Sequence, residues 1–597
     1  MLLSRTPRLL WRSLTMEVLG VLLIALLGLV GVIAFAAAMR PLAEGRVGPF
    51  EAVRLMGLLA VPMLQFAMPF AAGLAATLAY HRFAAENEAT ACMAGGISHR
   101  SLLMPALALG VVLSLLLAVL SHEVIPRFLR SAERLLTRDV TRFIVNPIER
   151  GETVQVGSWE IRADQVINAA AAREGEPDRA DGGAVEHLVL LGVLAHRVNS
   201  PEEFIEAARV DLWLFEDELG APGDGGAERP DDEGEGGTRA VLRFDRANAF
   251  VGDNRLEGRG VYTDSLRIPS AFRDDPKFLD FSELRRVRDT PEMLNRIDWR
   301  RRLVAKHLAL RDMAEDVRKQ LETGGKAVLT RGGAGQGSGG DVVTIYATGL
   351  ESGASGDTSG WVLTPPRDEP GVRVEVELSN GARRTHTAER ARLRFREPAS
   401  DQAELAASES ADGTAGAGVW LRLELEGVTT SDRNDRAAQV RSDSQQYASL
   451  RTSTDHGAVR LGQGTFELIE AASVLTRAGA GEGPGMDSFR RATNELRTKT
   501  DDLRREATSK LHERAAFSVS CFIMVLCGAV VALRLASALP LQVYLWSFLP
   551  ALGCVITISA GQGLAHKSGS SGLVLLWGGV AALGVVTWAM YASLRRH

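Results

Sequence analysis

Apolar residues along this chain crowd into two end blocks, and between the blocks apolar and polar positions alternate. Six stretches reach the ~20 apolar residues that a helix needs to cross a ~30 Å hydrocarbon layer. They run approximately Met16 to Ala38, Val53 to Tyr80, Leu102 to Ser121, Ala515 to Leu535, Leu541 to Gly561 and Gly572 to Ala592. The pattern predicts six transmembrane helices, three before a long central region and three after it. Ala36-Ala37-Ala38 imitates a signal-peptide cleavage site, but the first stretch is too long for a signal sequence's apolar core and a second follows at once.

The centre has a different period. Val210, Leu212 and Leu214 alternate with Asp211 and Trp213, and Val372, Val374, Val376 and Leu378 alternate with Arg373, Glu375 and Glu377 ahead of the turn pair Asn380-Gly381. Val419, Leu421, Leu423 and Leu425 repeat the alternation. A period of two marks strands with one buried face. Runs rich in Gly, Asp, Glu and Ser, at Glu174 to Gly183, Gly220 to Gly237, Arg331 to Gly340, Gly349 to Gly360 and Gly479 to Gly485, hold too little apolar surface to order themselves. They divide the centre into two β units, about Asn146 to Ser270 and about Asp341 to Glu470, with a helical segment near Pro291 to Leu321 between them. Arg300, Arg301, Arg302 and Lys306 of that helix are expected on a solvated face.

The expected organisation is three spans over 1–122 with a loop at 81–100, a β-rich domain at 123–290 and a helical connector at 291–322. A second β-rich insertion follows at 323–486, then a charged helix at 487–514 and three more spans over 515–597. The fold class is a membrane α-helical bundle, 3+3, carrying β-rich domains between spans three and four.

Charge orients this bundle. Arg5, Arg8 and Arg12 precede the first span, Arg82 and Arg100 lie between the second and third, Arg534 ends the fourth, and Arg595 and Arg596 follow the sixth. All fall on one side, which basic residues near span ends mark as cytoplasmic. Trp11, Tyr80 and Tyr591 fall at the same boundary, where amphipathic rings prefer to sit. Both termini are expected in the cytoplasm and the β-rich centre outside. Within the spans, Pro62 and Pro69 predict bends in the second and Gln65 an interhelical hydrogen bond. No span carries a buried charge pair of the kind an ion-coupled carrier uses.

Composition changes the picture only by exclusion. The 46% hydrophobic content of the 597 residues looks soluble because the charged centre dilutes the two apolar ends. A net charge of -5 gives no basic footprint for nucleic acid, which is excluded as a partner. Cys92 lies in a loop and Cys521, Cys527 and Cys554 in apolar stretches, so the centre holds neither a disulfide nor a cysteine metal site.

Candidate chemistry fails motif by motif. Gly335-Gln336-Gly337-Ser338-Gly339-Gly340 has the letters of a dinucleotide loop, but a strand-like run begins at Asp341 where a helix is required. Gly325-Lys326 is followed by Ala327 rather than Ser or Thr, so no phosphate loop is encoded. His122-Glu123 and His512-Glu513 would each open a zinc-protease motif, yet Pro126 and Ala516 stand where its second His belongs. No catalytic residue, no metal site and no cofactor is predicted, and the energy source for any transport must be another chain.

Between spans two and three the chain reads Arg82-Phe83-Ala84-Ala85-Glu86-Asn87-Glu88-Ala89-Thr90-Ala91-Cys92-Met93-Ala94-Gly95-Gly96-Ile97-Ser98. This resembles the cytoplasmic coupling segment of the YjgP/YjgQ (LptF/LptG) permeases of lipopolysaccharide export. Glu123-Val124-Ile125-Pro126 after span three resembles that family's exit motif, and Leu511-His512-Glu513-Arg514-Ala515 resembles its re-entry motif. The resemblance implies a permease subunit of an ABC transporter, not itself an enzyme, in the inner membrane. It implies a separate LptB-type ATPase, a second LptF/LptG-type permease and an LptC/LptA-type periplasmic bridge as partners, with lipopolysaccharide or a related glycolipid as cargo.

On the same resemblance the first β unit is a periplasmic jellyroll, with Val261 to Ile268 as a late strand, and Phe281 to Leu284 is the connector to span four. ATPase coupling falls to Glu88, Glu86, Gly96, Ile97 and Ser98, while Arg40, Arg46 and Arg127 lie near the outer end of the lipid path. The second β unit exceeds what the family carries. Two alternatives are a mechanotransmission permease of the MacB or FtsX kind, which has four spans, and a membrane-anchored scaffold or sensor without ATPase contact.

Overall fold

The computed structural model describes residues 8–43, 49–130, 148, 151, 153–156, 159–168, 186–197, 200–216, 238–251, 254–258, 261–262, 266–268, 275–331, 341–352, 360–379, 381–395, 419–432, 435–477 and 485–596. In chain order its helices are α1 (Arg8–Ala43), α2 (Pro49–Ala85), α3 (Glu88–Ala94), α4 (His99–Val119), α5 (Phe281–Asp289), α6 (Asn295–Gly324), α7 (His456–Leu461), α8 (Thr465–Arg477), α9 (Met486–Arg534), α10 (Pro540–Ser568) and α11 (Ser570–Leu594). The strands lie between α4 and α5 and between α6 and α7. Two compact units result, one of residues 1–144, 271–289 and 501–597, the other of 145–270 and 290–500.

The first unit holds the apolar helices. Among the described residues six are long and apolar enough to cross a membrane: α1, α2, α4 with its continuation to Arg130, α9, α10 and α11. The most apolar window of α9 is 72% buried against 17% for that of α1, so α9 is the central post of the bundle. Small residues allow this. A Cβ on Gly528 of α9 would stand 2.5 Å from the Gly73 carbonyl oxygen and 2.6 Å from the Thr77 hydroxyl of α2, and one on Gly110 of α4 would stand 3.1 Å from Phe522. Backbones approach this closely only where side chains are absent. Gly528→Ala is expected to lower the apparent melting temperature of the purified protein, since the added methyl would meet backbone rather than the end of a flexible side chain and overpacking costs about 1–3 kcal/mol. Gly563→Ala, with nothing within 4 Å of the added methyl, is expected to melt as the wild type.

Residues 271–289 belong to this unit rather than to the β region on either side of them. Phe278, Leu284 and Val287 are buried, and Phe281 stands edge-on to His122 at 5.1 Å. His122 lies in a π-helical turn, Leu120–Val124, that follows α4 within the span. Arg130 makes a bidentate pair with Glu283 at 3.3 and 3.0 Å. Arg514, 4% exposed, donates to the carbonyls of Leu279 at 2.9 Å and Lys277 at 3.2 Å. A charge at the head of the fourth apolar stretch is thus buried and bonded to backbone, which apolar counting along the sequence does not reveal.

In the second unit, a nine-stranded antiparallel sheet is built around the long strands Glu186–Arg197, Ser200–Glu216 and Thr238–Val251. Strands Val261–Tyr262 and Leu266–Ile268 both pair with Thr238–Val251. The remainder of that expected strand, 263–265, lies outside the described residues. A separate eight-stranded sheet closes on itself, Lys326–Arg331, Val342–Tyr346, Val372–Glu377, Arg383–Phe395, Leu421–Asp432 and Asp435–Arg451 pairing in a ring. The alternation holds through it. Val372, Val374 and Val376 face the buried cluster while Arg373, Glu375 and Glu377 do not. Strands were expected from about Asp341 to Glu470. The first instead begins at Lys326, and helices α7 and α8 occupy the last part of that range.

Helix α6 shares the buried cluster of the ring through Ala309, Leu310, Met313, Val317 and Leu321. Its basic residues do not form the solvated face expected of them. Arg300 pairs with Glu495 at 2.7 Å, Arg301 reaches Asp298 and the carbonyls of Leu461 and Gln463, and Lys306 is 7% exposed. Asp312 and Asp316 pair with Arg460 and His456, both at 2.6 Å. Long cations are held here by partners from α7 and α9 that lie far off in sequence. Burial, reinforced by Arg311, holds the His307 imidazole down at about 4. The folded state therefore favours the neutral ring. Below the ordinary pKa near 6.5 the unfolded chain binds a proton that the folded one refuses, so stability is lost progressively as pH falls from about 6.5 to 4. The full loss is about 3 kcal/mol. Hydrogen exchange of α6, corrected for its intrinsic pH dependence, is expected to rise over that window in the wild type and not in His307→Leu.

Candidate coupling site

The link between α2 and α4 is a seven-residue helix bracketed by two left-handed residues. After α2 the chain reverses at Asn87, whose φ of 61° an asparagine tolerates better than most residues. Helix α3 then runs from Glu88 to Ala94, and Gly96, at φ +84°, ends it where a Cβ would be strained. The Gly96 and Ile97 amides return to the carbonyls of Met93 and Cys92 at 2.9 and 3.0 Å. Ser98 caps α4, its hydroxyl accepting from the Ser101 amide at 3.4 Å.

One face of this small helix is committed to the bundle. Ala89 is buried in the main apolar cluster, and Cys92 and Ile97 pack against it. The opposite face presents Glu88, Thr90, Ala91, Met93, Ala94, Gly95 and Gly96. That surface has short side chains, one apolar projection and one carboxylate, which suits close docking into a groove. The expected coupling residues separate here by environment. Glu86 is held by Arg82 at 3.0 Å, and Arg82 also lies 3.5 Å from Glu17 of α1. Gly96 and Ser98 shape the turn, and Ile97 faces inward. Glu88 has no hydrogen-bond or ion-pair partner among the described residues and stands exposed.

The arginines expected on the lipid path are less completely described. Arg127 is exposed and 3.6 Å from Glu123. Arg46 lies outside the described residues, and of Arg40 only the backbone, in α1, is described.

Sequence reasoning missed the residues that brace this tip. Pro105, inside α4, has no N–H to give the Ser101 carbonyl, and the Trp11 indole of α1 donates there instead at 3.0 Å. One residue on, the Tyr80 hydroxyl of α2 accepts from the Ala106 amide at 3.2 Å and donates to the Leu102 carbonyl at 3.0 Å. Tyr80 is fully buried, its ring packed among the helices rather than presented on their outer surface. A proline one turn into a predicted helix, with aromatics at the ends of neighbouring helices, was the available signal.

Residues 9–142, which contain the first three spans and this hairpin tip, match the family model described as lipopolysaccharide export system permease LptF/LptG. No curated protein matches the chain. Six helices among the described residues are long and apolar enough to cross a membrane, as a multi-pass membrane protein requires. Over its first three spans, the chain is thus similar to the LptF/LptG permeases.

Proposed function

We propose that this chain is the permease subunit of an ABC exporter that extracts lipopolysaccharide or a related glycolipid from the inner membrane and passes it to an LptC/LptA-type periplasmic bridge. A separate cytoplasmic ATPase of the LptB type drives it, and a second LptF/LptG-type permease completes the lipid path. The observation that carries the reading is the coincidence of the family match over 9–142 with a short helix whose outward face is small, acidic and exposed. Six spans rather than four favour it over a mechanotransmission permease.

In this reading both termini and Glu88 are cytoplasmic, with Gly96, Ile97 and Ser98 fixing the docking angle and Glu86 steadied by Arg82. The nine-stranded sheet is the periplasmic jellyroll that receives acyl chains, and Arg127, with Arg40 and Arg46, meets phosphates or carboxylates of the cargo at the outer end of the spans. The test is gentle detergent purification from native membranes followed by mass spectrometry of the proteins and lipids retained. An ATPase subunit and a bound glycolipid are expected. Recovery of the chain with neither would overturn the proposal.

A further inference from the structure

Two consecutive positions of the α4 hydrogen-bond ladder are completed by side chains from other spans. At the first, Pro105 leaves the Ser101 carbonyl without a donor and Trp11 of α1 supplies one. At the second, the Tyr80 hydroxyl of α2 bridges the Ala106 amide and the Leu102 carbonyl. A proline inside a helix removes a bond and bends the helix, so the turn at Pro105 is weakened. That turn lies immediately after Ser98, where the α3 tip joins the bundle.

We infer that Trp11 and Tyr80 are positioning residues for energy coupling, locking a proline hinge at the base of α4 so that a push on α3 moves spans one, two and three together. The inference rests on the reading of α3 as the ATPase contact. Without the lock, displacement of α3 is absorbed by bending at Pro105. With it, the α4 base cannot tilt without pulling the indole of α1 and the phenol of α2. Arg82, 3.5 Å from Glu17, joins α2 to α1 directly at the same end, but it is exposed and contributes little.

The chemistry supplies its own control. In Trp11→Phe the Ser101 carbonyl loses its donor, whereas in Trp11→Phe/Pro105→Ala the new alanine amide closes on that carbonyl as in an ordinary helix. Amide hydrogen exchange of the full-length chain in detergent needs no partner. Exchange across 99–110 is expected to rise roughly fivefold in Trp11→Phe, the effect of one lost hydrogen bond of about 1 kcal/mol, and to return to wild type in the double variant. Unchanged exchange in the single variant would overturn the lock. So would acceleration that the double variant fails to reverse, since the indole would then act by bulk alone.

The second measurement is glycolipid released per ATP hydrolysed, with the ATPase that copurifies. A drop of at least roughly threefold in Trp11→Phe, with ATPase recovery unchanged and the double variant restored, is expected from a bond of that size. Undiminished release per ATP would show that the lock has no part in coupling. If the wild-type protein releases no glycolipid on ATP hydrolysis, the proposed function fails, and the exchange measurement still decides the lock.

Discussion

Arg514→Met is expected to prevent accumulation of folded, monodisperse protein, or to lower its apparent melting temperature by more than roughly 5 °C. The guanidinium is buried and serves two carbonyls of the 275–289 segment, at 2.9 and 3.2 Å. Glu513, itself paired with Lys510 at 2.9 Å, supplies opposing charge nearby, as do Asp280 and Glu283. Methionine has similar length and no donor. It would leave two carbonyls unsatisfied at about 1–3 kcal/mol each.

Arg514→Lys separates charge from geometry. A lysine keeps the charge as a point, but it lacks the planar fork that serves two acceptors at once. It is expected to melt between wild type and the methionine variant. Fluorescence-detected size exclusion after graded heating measures all three. A methionine variant that melts with the wild type would show that the 275–289 segment is held by its apolar residues Phe278, Leu284 and Val287 alone.

That residue also marks where reading the sequence reached its limit. The six apolar helices were legible because crossing a hydrocarbon layer demands an uninterrupted apolar run, and such a run is local. The strand at Val372–Glu377 was legible for the same reason, its alternation being written in adjacent letters. Arg514, Arg301 and Lys306 are long-range cases. Whether a cation lies in solvent or against a buried carbonyl depends on partners such as Leu279, which is 235 residues from Arg514, and no window along the chain contains both. Helices α7 and α8 were hidden because they are short and only partly apolar, and they are set by packing on α6. At the coupling tip the composition of α3 was legible. The bracing of its base was not, because Pro105, Trp11 and Tyr80 acquire a common role only when three spans come together.

Glu88→Ala is expected to leave the fold intact and to abolish coupling. Glu88 is exposed on the first turn of α3, with no hydrogen bond or ion pair among the described residues and only a through-space influence on the exposed Arg82, so its removal breaks no contact that holds the chain together. Ala89, buried in the main cluster, with Cys92 and Ile97 packed against it, keeps the helix in place. The melting temperature is therefore expected to match wild type. ATPase retained through purification is expected to fall at least about tenfold, the change in an equilibrium that follows from losing a charge-assisted contact of about 1.5–3 kcal/mol, and export is expected to fall with it. Glu86→Ala is the informative comparison, because its carboxylate is already engaged by an exposed Arg82 and such surface pairs contribute about 0–1 kcal/mol. A small effect at Glu86 beside a large one at Glu88 would identify the free carboxylate, rather than the acidity of the loop as a whole, as the contact. Equal ATPase recovery and export in Glu88→Ala and wild type would remove Glu88 from the coupling surface.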